Sequence, residues 1–184
     1  MYIWVAADVD GQLGTIREKI AKICSEGNMT NSALTLPLHI SLKISCEIQD
    51  SLFDESVGKI SEYFSALSPF CVKAEKVEKN GNIVWIRFAE NGELCRVHRD
   101  LVELFAGGYG IEPHEFDKKF IFHTTLFYGE DEKNAEAIFE ILKTEDLPEG
   151  LTAKRFIIGC SESGKAGEYR VIKEIVAKNE IRDY

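Results

Sequence analysis

The sequence has no run near the ~20 consecutive apolar residues that cross a bilayer, so neither a transmembrane helix nor a membrane partner is expected. It also lacks a basic leader. The opening Met1-Tyr2-Ile3-Trp4-Val5-Ala6-Ala7-Asp8 carries its apolar run only to Asp8, which is the pattern of a first strand rather than a signal peptide. On this reading the mature protein begins here. No C-x-x-C pair occurs, and the five cysteines (Cys24, Cys46, Cys71, Cys95 and Cys160) are odd in number and widely scattered. That argues against a disulfide framework and for small apolar thiols in a reducing, cytoplasmic setting. The Asn28-Met29-Thr30 sequon carries no meaning there. Cations are also scarce: 22 Lys and Arg stand against 31 Asp and Glu, for a net charge of −9. Long duplex nucleic acids are held mainly through basic patches that neutralise phosphates, so such a partner is not expected.

What is present is ordinary for a folded protein: 184 residues, 45% hydrophobic and 29% charged, enough for one large domain or two small lobes. Residues 2–8 read as a strand. Leu13, Ile16, Ile20 and Ile23 recur at helical spacing, and Gly27 lies just past the last turn. A strand is expected at 36–46, where Leu38, Ile40, Leu42 and Ile44 alternate with His39, Ser41, Lys43 and Ser45. Helices are predicted at 50–66, 91–106 and 131–143, a second strand of this kind at 119–128, and hairpins at 69–78/83–89 and 151–160/168–178. Asn80-Gly81 suits the first hairpin turn. The glycines of Gly107-Gly108-Tyr109-Gly110 come after a helix instead of opening one, so they read as a helix stop rather than a phosphate loop.

The two halves overlay. His39 and His123 lie 84 residues apart, and the hairpin glycines Gly81 and Gly164 lie 83 apart. Each half reads helix, histidine strand, helix, hairpin. One internal duplication within a single bilobal unit over residues 1–184 is therefore expected, with motifs at 39–42 and 123–126.

Each histidine has a hydroxyl two residues further on, in His39-x-Ser41 and His123-x-Thr125. On a strand that spacing sets both groups on one face. Two such strands side by side would surround one pocket with two imidazoles and two hydroxyls. The set suits a phosphodiester. Hydroxyls can donate to the non-bridging oxygens as phosphorus becomes pentacoordinate, one neutral imidazole can activate water, and a protonated one can supply the leaving oxygen. No metal and no cofactor is required.

Leu36-Pro37-Leu38-His39-Ile40-Ser41-Leu42 and Phe122-His123-Thr124-Thr125-Leu126 resemble the paired motifs of the two-histidine (2H) phosphoesterase superfamily. The nearest named branch is the bacterial RNA 2′,3′-cyclic phosphodiesterase, or 2′-5′ RNA ligase, family. The resemblance implies an α+β fold of two pseudo-symmetric lobes, each an antiparallel sheet with outer helices, around a central cleft. It implies His39 and His123 as the acid–base pair, Ser41 and Thr125 as phosphate holders, and metal-independent hydrolysis of a 2′,3′-cyclic phosphate that leaves a 2′-phosphate. Many relatives have proline directly before the first histidine, whereas Leu38 intervenes here, and the first motif has serine for the commoner threonine.

Among the neighbours, Lys43 is expected to share the face of His39 and Ser41 and to lend the cleft positive charge. Phe127 is expected to share the face of His123 and Thr125 and to stack on a base, while Tyr128 should point the other way but sits at the strand end. Lys118 and Lys119 are candidates for screening phosphate, and His98 and His114 read as surface residues. The expected partner is a small nucleotide or an RNA terminus, bound by a monomer. The alternatives are cleavage of a 2′-5′ linkage or of a cyclic phosphate derived from ADP-ribose, and a non-catalytic nucleotide- or RNA-binding module.

Overall fold

Nine strands and four helices alternate along the chain in a computed structural model that describes residues 1–178. They are β1 (Tyr2–Asp8), α1 (Gly14–Glu26), β2 (His39–Glu47), α2 (Asp50–Ala66), β3 (Phe70–Val72), β4 (Ala74–Asn80), β5 (Ile83–Phe88), α3 (Gly92–Tyr109), β6 (His123–Tyr128), α4 (Glu132–Leu142), β7 (Leu151–Ala153), β8 (Arg155–Ser161) and β9 (Arg170–Val176). Each helix turns one stripe inward at the spacing its sequence dictates: Ile16, Ile20 and Cys24 on α1, Ala135, Ile138 and Leu142 on α4. Asn91 and Asp131 cap α3 and α4 by accepting from Leu94 N–H and Asn134 N–H. The helix α3 runs through Gly107 and Gly108 and stops at Gly110, whose φ of +66° suits glycine; Gly110 N–H and Ile111 N–H then satisfy the carbonyls of Ala106 and Phe105. No helix among the described residues is long and apolar enough to cross a membrane.

The strands form two lobes, both antiparallel. One sheet has the order β2-β1-β8-β9 and the other β4-β5-β6, while β3 and β7 pair with each other. This splits both predicted hairpin arms, because 70–72 and 151–153 pair across the molecule while 74–80 and 155–161 join the main sheets. The first turn is also displaced by one residue: Asn80 pairs with Ile83, so Gly81 and Asn82 make the turn, with Gly81 at φ +57°.

The order β-α-β-α-β-β occurs twice, as β1-α1-β2-α2-β3-β4 and β5-α3-β6-α4-β7-β8. The last strand of each unit crosses to the other lobe, β4 lying beside β5 and β8 beside β1. The matching of hairpins by Gly81 and Gly164 is thereby corrected. By position, β5 corresponds to β1, since each is flanked by a histidine strand and a crossing strand; β9 is an added edge strand.

A shared irregularity shapes the site. Neighbouring Val5 and Ala6 of β1 face Lys43 and Ser41, which leaves Leu42 as a bulge in β2. Neighbouring Val84 and Trp85 of β5 face Phe127 and Thr125, which leaves Leu126 as a bulge in β6. The two bulges are 84 residues apart, the same offset as the histidines. Each inserts one residue and reverses the facing of the residues just beyond it; in β2 a second shift, opposite the stretch between Ile3 and Val5, undoes the reversal further along. Strict alternation therefore fails after Ser41 and after Thr125. Lys43 and Phe127 turn into the core, 2% and 0% exposed. Phe127 does not join the face of its histidine, and Lys43 keeps only an edge on the cavity that Ser41 lines.

Candidate active site

The strands β2 and β6 lie next to each other, and the lobes are stitched there by His39 N–H, which donates to Thr124 Oγ1 at 3.1 Å. Thr124 is fully buried. It occupies the middle of the second motif, where period-two reading places it in the core; a hydroxyl buried on a strand needs a partner, and that was the available signal. Thr124→Val should cost about 1–3 kcal/mol by leaving the His39 amide unpaired, read by urea unfolding.

The histidines are held alike. His39 Nδ1 meets Pro37 O at 2.7 Å and His123 Nδ1 meets Ile121 O at 2.8 Å. Carbonyls only accept, so Nδ1 carries the hydrogen in both rings and Nε2 is left for chemistry. Beside His39 lies the ring of Trp4, edge-on at 4.4 Å, and beside His123 that of Trp85 at 5.3 Å. Burial in these surroundings pulls the His39 imidazole from its ordinary 6.5 down to about 4, against the opposing pull of the Pro37 carbonyl, and the nearby His123 lowers it further. His123 is lowered too, again by burial, with the Ile121 carbonyl and Glu78 acting in the other direction.

Two cavities flank the pair in a crossed arrangement. One, of about 290 Å³, is bounded by His39 and Thr125 together with Trp4, Tyr128 and Tyr169. The other, of about 520 Å³, is bounded by His123 and Ser41 together with Trp4, Trp85, Phe116 and Lys119. Each histidine thus shares a cavity with the hydroxyl of the other lobe, and Trp4 and Ser45 border both. Trp4 Nε1–H donates to Ser41 Oγ at 3.2 Å, which uses an acceptor position and leaves the serine hydrogen to point elsewhere.

The structure brings His39, His123, Ser41 and Thr125 together. It places Tyr128 in the first cavity, where sequence alternation pointed it away, because the bulge at Leu126 reverses it. Phe127 is corrected as a cleft residue for the same reason, whereas Lys43, though 2% exposed, borders the cavity of Ser41 and His123 with its ammonium turned to Asp117. His98 is corrected as a surface residue: it is 9% exposed and meets two carbonyls, Leu42 O at 2.9 Å and Asp117 O at 3.0 Å. His114 is exposed, as expected, and its ring accepts from Phe116 N–H. The expected strand at 119–128 starts only at His123, since residues 115–119 wind into a short 3-10 helix capped by His114. Trp4, Trp85 and Asn31 were missed. Asn31 donates to Leu126 O and accepts from Tyr128 N–H, supplying the groups a neighbouring strand would offer at the bulge. No composition or spacing cue marks it. Among the described residues no cluster of three or more His, Cys, Asp or Glu is placed to hold a metal ion.

The sequence profile of the 2′-5′ RNA ligase superfamily matches residues 15–159. Among solved structures the chain is similar to TT0787 of Thermus thermophilus, at 15% identity over 96% of this chain and 97% of that one, with a TM-score of 0.65. It is similar to E. coli LigT complexed with 3′-AMP, at 14% identity over 96% and 98% of the two chains, TM-score 0.59. The E. coli LigT structure complexed with NADP+ gives 14% identity, 96% and 97% coverage, and 0.56. At these identities the likeness is one of fold. No curated protein matches the sequence.

Proposed function

We propose that this chain, which belongs to the 2′-5′ RNA ligase superfamily of two-histidine phosphoesterases, hydrolyses the 2′,3′-cyclic phosphate of a nucleotide or an RNA end without a metal. The observation that carries the proposal is the crossed site: two imidazoles with Nδ1 tied to a carbonyl and Nε2 free, each sharing a cavity with a hydroxyl of the other lobe.

His39 is the base in this reading, because it is the more enclosed ring and stays neutral down to about pH 4. Its Nε2 takes a proton from water as the water oxygen bonds to phosphorus. His123 Nε2–H gives a proton to the ribose oxygen as that P–O bond breaks, with Glu78 favouring the charged ring. Ser41 and Thr125 donate to the non-bridging oxygens, where negative charge gathers. The cavities suit a base on either side of the phosphate, and E. coli LigT, a structural neighbour, takes 3′-AMP and NADP+. The recurring unit, with its matched bulges, supports the reading of a duplicated bilobal domain.

The test is a substrate panel with product identification in the presence of a chelator. It holds 2′,3′-cyclic nucleotides, oligoribonucleotides ending in a cyclic phosphate, a 2′-5′-linked dinucleotide and ADP-ribose 1″,2″-cyclic phosphate. Turnover of the first two at rates the chelator does not alter is expected. Turnover confined to the linear 2′-5′ linkage or the ADP-ribose derivative would move the assignment to that substrate. No turnover at all would overturn it.

A further inference from the structure

The loops leading into the two histidine strands are both pinned from the preceding helix. On α1, Arg17 donates to Leu34 O and Leu36 O, each at 2.9 Å, and to Asp10, which also accepts from Leu38 N–H. On α3, His98 plays a comparable part, bridging Asp117 O to the carbonyl of the bulge residue Leu42. The second pin is buried and joins the lobes. The Asp117 carboxylate accepts from His114 N–H at 2.8 Å, from Lys43 Nζ at 3.3 Å and from Ile44 N–H at 3.5 Å. Both side chains of the Lys43–Asp117 pair are 2% exposed, and Phe120 stacks on His98 with centroids 4.2 Å apart.

The other lobe shows what packing alone requires at this position. The counterpart of Lys43 across the 84-residue offset is Phe127, fully buried and uncharged. Replacing a buried ion pair by hydrocarbon is often neutral or stabilising, so a charge pair here is poorly explained by stability. It does supply direction. The pair and His98 fasten the bulge next to Ser41 to the segment that carries Phe116, Lys119, Phe120 and Ile121, all lining the cavity beside His123. Phe116 is 61% exposed, an unusual position for a phenylalanine on a segment tied down this firmly.

We propose that Lys43, Asp117 and His98 are positioning residues that hold segment 114–121 as the specificity wall of the cavity beside His123, presenting Phe116 to a nucleobase of the substrate. The nucleotide ligand rests on the phosphodiesterase reading; the clamp does not.

Removing one partner alone would strand a buried charge, so the test is the double variant Lys43→Met/Asp117→Leu, which keeps the site apolar, with Lys43→Arg as the conservative control. Three quantities are measured: amide exchange over 114–121, quenching of tryptophan fluorescence by 3′-AMP, and kinetics on a dinucleotide ending in a 2′,3′-cyclic phosphate. Cooperative unfolding is expected to persist in the double variant, with exchange over 114–121 faster by about tenfold. Affinity for 3′-AMP should weaken and KM rise by about tenfold, with kcat nearly unchanged. Lys43→Arg should retain protection and affinity. Unchanged exchange in the double variant overturns the clamp, and freed exchange with unchanged affinity and KM overturns the wall. A wild-type protein that binds 3′-AMP but hydrolyses nothing sinks the phosphodiesterase reading, and exchange and affinity then decide this proposal alone.

Discussion

His39→Asn is expected to lower kcat by roughly 10²–10⁴-fold, and His123→Asn by a similar factor, because each removes a group that moves a proton in the transition state. Asparagine keeps a short polar side chain for the Pro37 or Ile121 carbonyl, so the strands should hold. Steady-state rates on the cyclic substrate, with circular dichroism of each variant, check this; a variant with wild-type kcat would remove that histidine from the mechanism. The pH profile separates the two roles. In the free enzyme His39 must be neutral, which holds above about pH 4, and His123 must be charged, which holds only below its own lowered value. The bell in kcat/KM should therefore lie on the acid side of neutrality, instead of centring on it as two unperturbed imidazoles would predict. The bound phosphodiester is an anion and favours the charged ring, so the descending limb of kcat should sit at higher pH than that of kcat/KM.

Stability should track the same shift. His39 binds its proton at about pH 4 when folded and near 6.5 when unfolded. Between those values the unfolded chain holds more protons, so stability falls as pH drops from about 6.5 and the loss is complete below about 4. The difference corresponds to at most about 3.5 kcal/mol. His39→Asn should flatten that slope in urea titrations taken across the window.

The motif histidines and hydroxyls were legible because they precede the bulges, where strand alternation still holds. The residues beyond each bulge were not. An inserted residue leaves no mark in the hydrophobic pattern, since Leu42 and Leu126 are apolar and buried as alternation demands, while Lys43 and Phe127 are carried inward with them. Helix bounds were read well where an apolar stripe and a cap coincide, as on α4, and where the stripe is long, as on α2. Register across lobes was out of reach: the crossing of β4 and β8 depends on non-local pairing, and equal hairpin spacing suggested a different match. His98 was misread for a related reason. It lies four residues after Leu94, three before Leu101 and seven before Phe105, on the buried stripe of α3, and the segment it touches there comes from 114–120, which helical periodicity does not reveal.

Ser41→Ala should reduce kcat by about 10²-fold, as loss of one donor to a charged transition state does elsewhere, and Trp4→Phe by about tenfold through the same hydroxyl. The indole N–H occupies an acceptor position of Ser41 Oγ and so directs the serine hydrogen. Without it the hydroxyl remains but is free to rotate away from the phosphate. Trp4 also encloses His39, and the two effects are separable by substitution. Phenylalanine keeps an apolar ring beside the imidazole, so the acid limb of kcat/KM should stay near pH 4 while the rate falls. Trp4→Ala admits water to His39, and the acid limb should climb from about 4 toward 6.5. Ser41→Ala should leave that limb in place. An acid limb that moved equally in all three variants would mean that Trp4 and Ser41 act through general loosening of β1 against β2, and the donor role of Ser41 would fall with it.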